Sequence, residues 1–573
     1  MNTKSGASPG DAVTAAKTPR RRRYALPAVL TIAALTLSAC GGGGGDNGSD
    51  EPEPVDEDAV GVGAMEDFGA GDSFVATEPV EFSLLYRDHP NYPIQSDWRF
   101  LTYLEEEHNV TLTTQNAPLS DWEDRRSLVI GAGNAPDFIP IFMPGDETQF
   151  VAGGALLPVS DYLQYMPNLT EKIDAWNLQG DFDGLYQEDG KFYILPGIQE
   201  QPLYEYGIAV RGDIWDELGY DDPETWDEFA EQLRGVQEAY PDMIPYSDRW
   251  EMNATLNQAA ANFGTQAGWG FSDGMYYDAD ADEFVYAPAT EGFRDMVAYF
   301  ASLVEEGLLD SESLIQDDDQ AIQKFASGQS AAVFANDQEI LTYRDSIEEV
   351  GDDDWEVRLL PVPAGPAGNN VAGGQLWGGL VLSSDVAEQD NFIALLQFLD
   401  WLYYSDEGLE YAKWGIEGET FEREGEQRVL NENIDINNLN PGAPEALNVD
   451  YGFHNGVWML THGSSIDLMD SMAREEVVEF REKMSAKEVQ PVAPPRPLNE
   501  LELEQASLTE NSLRDTTNTR VAEFIVGNRS MDQWDDFVAE LEGAGLAQFV
   551  ELHNEAYQRH KEAGIGVEED IDD

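Results

Sequence analysis

From Glu81 onward, apolar positions switch repeatedly between a spacing of two and a spacing of three to four. "EFSLLY" (Glu81–Tyr86) predicts a strand, "SDWRFLTYLEEEHN" a helix, "VTLTTQ" a strand, "DWEDRRSLVIGAG" a helix and "PDFIPIF" a strand. Ser120 and Glu123 stand at capping-box spacing ahead of the second helix, and Gly131 at its expected end. This βαβαβ order implies a mostly parallel sheet with helices on its faces, whose ligands gather at the carboxyl ends of the strands.

A second α/β section follows. "KFYILP" and "EYGIAV" read as strands, and "DPETWDEFAEQLRGVQEAYP" as a helix opened by a box of Thr225 and Glu228, with Trp226, Phe229, Leu233 and Val236 on one face. "FRDMVAYFASLVEEG" spaces Phe293, Met296, Val297, Phe300, Leu303 and Val304 helically, with Gly307 as the expected C-cap. "SAAVFA" and "WEVRLLPVP" return to strands. "NFIALLQFLDWLYYSDEGLEYA" predicts one long, largely buried helix, and "MDQWDDFVAELEGAGLAQFVELHNEAYQRH" a helical pair broken at Gly543 and Gly545. No internal repeat is visible.

The beginning of the chain follows neither rhythm. Arg20–Arg23 precede an uncharged run, Tyr24–Leu37, that ends in the small residues Ser38 and Ala39, the pattern of a secretory signal peptide. The run is shorter than the roughly 20 apolar residues needed to span a bilayer. Directly after it comes Cys40, the only cysteine, which can form no intramolecular disulfide. Leu37-Ser38-Ala39-Cys40 resembles a bacterial lipobox, and the resemblance implies that Cys40 becomes the lipidated first residue, with an acyl anchor such as palmitate; an exported protein with a chance cysteine is the alternative. The glycines and acids over residues 40–77 then read as a flexible tether.

Charge narrows the partners. With 32 Lys+Arg against 111 Asp+Glu, the net charge is −79, and removal of residues 1–39 makes it more negative still. Such a surface repels anionic lipid and nucleic acid, whose binding needs cations to neutralise phosphates, so no nucleic-acid partner is expected. A hydrophobic content of 42% with 13 Trp, 23 Tyr and 25 Phe still requires a folded core. The acids are dispersed and lysine is scarce, which points to an environment of high salt, where screening relieves self-repulsion. About 495 residues follow the tether, too many for a single core, so at least two domains are expected.

Several strings carry a family resemblance: "VRGDIWDELGYDDPETWDEF", "EEGLLD" ahead of "AIQKFASGQSAAVFAN", "LPVPAGPAGNN", "SDEGLEYAKWGIEGETF" and "FIVGNRSMDQWDDFVAELEGAGLAQFVELHNEAYQRH". In this order, behind a lipobox, the chain resembles the extracellular solute-binding proteins of ABC sugar importers, particularly the LipO-like lipoproteins of family 1. The resemblance implies a two-lobed α/β fold of the periplasmic-binding type II class, with each lobe a mostly parallel sheet flanked by helices and a ligand cleft between the lobes. The expected division is signal peptide 1–39, tether 40–77, first lobe 78–198, second lobe 199–335, first lobe again 336–413, and second lobe with C-terminal helices 414–573. Chain crossings are expected near Leu195–Glu200, Asn336 and Trp414–Gly418. The implied partners are a carbohydrate ligand, permease subunits with their ATPase on separate chains, and the cell membrane through Cys40, on its outer face. A monomer, with no cofactor and no catalytic role, is expected.

A sugar cleft needs aromatic platforms and polar side chains that meet hydroxyls. Trp250, Trp269, Trp377 and Trp458 lie among polar and glycine residues, whereas Trp226, Trp401 and Trp534 sit on helical stripes and read as core. Asp88, at the end of the first strand, Tyr206, near a crossing, and Arg249 complete the ligand-binding candidates; core packing is the alternative for each tryptophan. The overall charge weighs against an anionic glycan, but a local basic pocket could override it, with Arg249 or Arg211 as its source. Two acidic loops, "DFDGLYQED" and "DADADE", bring calcium to mind. The second lacks the glycine and closing Glu of an EF-hand, and a hairpin turn between "MYY" and "FVYA" fits it better, so no metal site is expected. There is no H-E-x-x-H, G-x-S-x-G or P-loop. A secreted glycan hydrolase stays open, because paired carboxylates cannot stand out among so many acids; a receptor for a peptide or another small solute is a third reading.

Overall fold

The computed structural model describes residues 61–90, 92–141, 145–350, 355–425, 427–456 and 463–564. The signal sequence, Cys40 and Trp458 lie outside the described residues.

The strands up to Leu382 are β1 (Val80–Asp88), β2 (Val110–Pro118), β3 (Phe138–Ile141), β4 (Leu195–Ile198), β5 (Tyr206–Arg211), β6 (Ile244–Tyr246), β7 (Met275–Asp278), β8 (Glu283–Tyr286), β9 (Ser330–Asn336), β10 (Val357–Leu360), β11 (Asn370–Val371) and β12 (Leu376–Leu382). Nine of them build one sheet in the order β2-β1-β3-β12-β4 and a second in the order β10-β5-β9-β6, the centres of the two lobes. In the first sheet only β12 runs against the others; in the second only β5 does. Each reversed strand is the first its lobe receives directly from the other lobe. A chain entering from the cleft starts its strand at the edge where the parallel strands end, so it must run the opposite way. Tyr206, the first residue of β5, and Leu376–Trp377, the first of β12, are thereby set at the cleft edges of their sheets.

The first lobe is closed by the helix Phe392–Tyr404, buried along its entire length. From it, Asp400 accepts the N–H of Asn168 (2.9 Å), the N–H of Leu169 (2.9 Å) and Asn168 Nδ2 (2.7 Å), satisfying the N-terminal turn of the helix Pro167–Ala175. Burial raises the Asp400 carboxyl to about 6 against these hydrogen bonds. The second lobe packs its sheet against Trp226–Ala239 and Glu291–Glu305, and then against a layer made by Glu500–Ile525, Trp534–Gly543 and Leu546–Ala563.

Several expectations shift for local reasons. Ser120 donates to Asp121 rather than capping, because a tight turn, Leu119–Asp121, precedes the helix Trp122–Gly131. The long buried helix is two: Ser405 breaks it by accepting Gly408 N–H (2.9 Å), and Asp406–Trp414 follows. Thr225 does cap, accepting Glu228 N–H at 3.1 Å. The segment 61–77, inside the stretch read as tether, packs on the first lobe: Phe74 is buried, and Gln397 clasps Met65 through both its N–H (2.9 Å) and its carbonyl (3.0 Å).

The passages between sheets follow side-chain packing. After Asn336 the helix Asp337–Val350 folds back on β9, and β10 joins the second sheet, so the return to the first sheet lies between Leu360 and Leu376. After Trp414 a hairpin, Phe421–Leu430, stays on the first lobe, where Arg99 pairs with Glu419 (2.7 Å) and Trp98 Nε1 donates to Val449 O (2.8 Å). Three connecting segments lie side by side: Gln199 N–H donates to Gln375 O (2.9 Å), Gln375 Nε2 to Gln199 O (2.9 Å), and Glu200 N–H to Ser464 O (3.1 Å). A Cβ on Gly463, whose φ is +90°, would stand 2.6 Å from Ile198 O, so only glycine permits this approach.

Candidate ligand-binding cleft

At the cleft end of the second sheet, three aromatic rings converge from three separate stretches. Tyr206 faces Trp250 edge-on at 6.1 Å between ring centres and Trp269 at 5.4 Å, while Trp250 and Trp269 lie 5.2 Å apart, inclined at 52°. Tyr206 is held by its place opposite Asn336 in the sheet. Burial, followed by the charge of Glu205, raises its hydroxyl pKa. Trp269 rides the tight turn Gly268–Phe271 and keeps 47% of its surface exposed. That turn is pressed onto the helix Asn253–Ala260: a Cβ on Gly268, at φ +57°, would sit 1.9 Å from Asn253 O.

Trp250 is aimed by strained backbone. Trp250, Glu251 and Met252 are three consecutive residues in the left-handed region, with φ of 53°, 54° and 63°, a conformation that non-glycine residues keep only where surroundings over-determine it. The surroundings do so here. Buried Asp248 accepts Arg249 N–H (2.9 Å), Phe334 N–H (3.1 Å) and Thr255 Oγ1 (2.5 Å). The Arg249 guanidinium lies 4.1 Å from the Trp250 ring centre and donates to Asp318 (3.0 Å), Tyr343 (3.3 Å) and Glu339. Arg249 is only 5% exposed, so its charge is spent under the tryptophan, as a strut.

Asp88 and Trp377 sit across the cleft on the first sheet. Asp88 ends β1 and accepts Ile94 N–H (3.1 Å), closing the turn in which His89 and Tyr92 stack at 4.3 Å. Trp377 is half-buried opposite Gly197, beside a bulge between Trp377 and Gly379. Arg211 lies at the far end of β5, paired with Asp213 (2.7 Å) and stacked on Trp355 at 3.4 Å.

Between the lobes, a cavity of about 610 Å3 is lined by Tyr92 on the first-lobe side and by Glu205, the residue before Tyr206, with Asp337 and Gln338 on the second. Lys413, Arg474 and Arg481 also line it. Burial and the charge of Asp337 hold the Glu205 carboxyl well above the usual carboxylate range, with Arg481 and Lys413 opposing; burial and Arg481 pull the Lys413 ammonium far below its ordinary value, with Glu205 opposing. A second cavity of about 470 Å3 runs between Gly145–Thr148 and Gly184–Gln187 of the first lobe and Asp273, Glu510 and the strap Ala493–Leu498 of the second. Sequence reasoning missed Lys413. Its signal was there, a lone lysine in the buried stretch "LEYAKWG" of a chain poor in lysine.

The acidic loops are used locally. Asp181 accepts Gln375 N–H (2.8 Å), and Asp278–Glu283 is the turn of the β7–β8 hairpin, with Asp282 holding Tyr557 (2.6 Å) and Lys561 (2.6 Å).

Residues 101–415 match a family model described as bacterial extracellular solute-binding protein. The polygalacturonan/rhamnogalacturonan-binding protein YtcQ of Bacillus subtilis (strain 168) is 23% identical over 484 residues, covering 81% of this chain and 89% of the relative. The fructooligosaccharide ABC transporter substrate-binding protein FusA of Streptococcus pneumoniae serotype 4 is 22% identical over 493 residues, covering 80% and 87%. In a solved structure, an HMO-binding, ABC-transporter-associated solute-binding protein from Bifidobacterium longum infantis shares the fold, with a TM-score of 0.62 at 17% identity over 84% of this chain and 99% of that one.

Proposed function

Because the chain belongs to the bacterial extracellular solute-binding protein family, we propose that it is a lipid-anchored receptor that captures an oligosaccharide and delivers it to an ABC permease. Capture is by closure of the two lobes, so that binding energy drives a change of shape the permease can read. The observation that carries the sugar assignment is the Tyr206–Trp250–Trp269 cluster, with Trp250 held on strained backbone. Aromatic faces match the apolar faces of pyranose and furanose rings, and the polar groups of the adjoining cavity match their hydroxyls. Curated relatives named for binding polygalacturonan and fructooligosaccharide support the same class. In this reading Trp377 and Asp88 serve the first-lobe side of the cleft, and Arg249 supports Trp250 from below.

The receptor does no covalent chemistry and acts as a monomer, held at the outer face of the cell membrane by lipid on Cys40. Its relatives are binding proteins, which leaves the hydrolase reading without support. The test is a thermal-shift screen against mono- and oligosaccharides, with amino acids and peptides as controls. A ligand at one hundred times its Kd should stabilise the native state by about 2.7 kcal/mol. A dose-dependent shift with one sugar class, the sugar being recovered unchanged, supports the receptor; a shift with peptides alone overturns the substrate class, and release of reducing ends restores the hydrolase.

A further inference from the structure

We infer that the oligosaccharide taken by this cleft is uncharged, and that acidic sugars of the uronate type are refused. The inference rests on the reading of the cleft as a sugar site. After residue 60, every lysine and arginine of the chain falls among the described residues, so each cation the cleft can present has a known place.

Among the described residues, each cation that lines the two cavities or supports the aromatic cluster already serves an acid of the chain. Arg249, at the aromatic cluster, is divided between Asp318 and Glu339. In the larger cavity, Arg474 is bound to Glu476 (2.9 Å) and to the carbonyl of Asp337 (2.7 Å), while Arg481 is bound to Asp470 (3.1 Å) and lies 3.8 Å from Asp337. Lys413 is 1% exposed, and Glu205 is its countercharge. In the second cavity Arg496 makes a two-pronged pair with Asp273 (2.7 and 2.9 Å) and abuts His553. Arg87, half-buried beside Asp88, has Glu123 as a countercharge.

The carboxylates, by contrast, are in excess. Glu205, Asp337, Asp345 and Asp435 line the larger cavity, and Glu147, Asp273 and Glu510 the second. A carboxylate brought from water into such a site needs a charge-assisted partner. Borrowing one of these arginines would strand the acid it already serves, in a cleft where like charge predominates. A neutral glycan meets the opposite situation. Its hydroxyls donate to carboxylates, and its ring faces lie on Tyr206, Trp250 and Trp269, so the lining that refuses a uronate suits a neutral sugar.

The experiment is calorimetric titration of the full chain with oligosaccharides in matched pairs, equal in length and linkage and differing only in a neutral sugar against its uronic acid. Each pair is measured at low and at high salt. The expected result is binding by at least one neutral member, with its acidic partner about tenfold weaker or more, a gap of about 1.4 kcal/mol that narrows as salt screens the cleft. An acidic member that binds as tightly as its neutral partner overturns the inference while leaving the sugar receptor intact. Absence of binding in every pair, with a peptide or other solute bound instead, removes the receptor's sugar assignment itself, and this inference with it.

Discussion

Tyr206 and Trp269 meet edge to face at 71°, one opening a strand of the second sheet and the other riding a glycine-bounded turn. The contact leaves almost half of Trp269 open to the cleft side chains' solvent. Trp269→Ala is therefore expected to weaken sugar binding about tenfold, or about 1.4 kcal/mol, while changing stability by no more than about 0.5 kcal/mol, as at other exposed sites. Titration beside thermal melting checks it; a large loss of Tm with binding unchanged would make Trp269 a packing residue.

Arg249 separates support from contact. As a strut it is needed by Glu339, Asp318 and the left-handed turn at Trp250. Arg249→Ala should cost about 3 kcal/mol of stability, the scale for breaking a buried pair from one side, and should weaken sugar binding through the displaced tryptophan. Loss of binding at unchanged stability, read by denaturant titration, would instead mark Arg249 as a direct ligand group.

His553 gives the second lobe an acid sensitivity. Burial and the charge of Arg496 lower its imidazole to about 4, against the pull of Asp273. The unfolded chain takes up a proton as pH falls below about 6.5, and the folded chain declines it until about 4. The stabilisation is therefore complete above pH 6.5 and is lost on the way down to 4. Asp400, raised to about 6, has the opposite slope over the lower part of this range, because the folded state is protonated first. The clean readout is the stability of the wild type minus that of His553→Gln, which should fall by about 3 kcal/mol between pH 7 and pH 4. A difference that stays constant across that range would rule out a neutral buried imidazole.

Salt should act on the whole molecule. A chain of net charge −79 repels itself over distances that salt shortens, since the Debye length falls from about 10 Å at 0.1 M to about 3 Å at 1 M. Tm is expected to rise steadily with sodium chloride. A Tm independent of salt would remove the reading of an environment of high salt.

Cys40→Ser should release the protein from membranes while leaving sugar affinity unchanged, because the aromatic cluster is drawn from Tyr206, Trp250 and Trp269, far along the chain from Cys40. Fractionation of cells followed by titration of the released protein checks both halves. Retention of the variant in the membrane fraction would mean another anchor.

What could be read from sequence was what depends on short-range periodicity. The βαβαβ opening, the stripe Trp226–Phe229–Leu233–Val236 and the core positions of Trp226, Trp401 and Trp534 all follow from spacing that burial enforces. Tyr206, Trp250 and Trp269 could be singled out from their polar and glycine-rich settings, but not as a group, because their meeting depends on strand order in the second sheet and on the turn at Met252. The role of Arg249 was hidden for the same reason: Asp318 and Glu339 come from distant stretches, and nothing near Arg249 in sequence shows that its charge is taken. The expected crossings at Asn336 and Trp414 mark ends of elements, but the chain folds back at both, through apolar packing at Ile340 and Tyr343 and through the Arg99–Glu419 pair.

The segments at Gln199, Gln375 and Ser464 form a three-ply ribbon laced by main-chain and side-chain hydrogen bonds. A ribbon of this kind yields to bending across its width and resists sliding of one ply along another, because sliding breaks the lacing all at once. A swing of the proposed lobe closure would bend this ribbon and keep its three plies in register, whereas a sliding motion would have to break the lacing first.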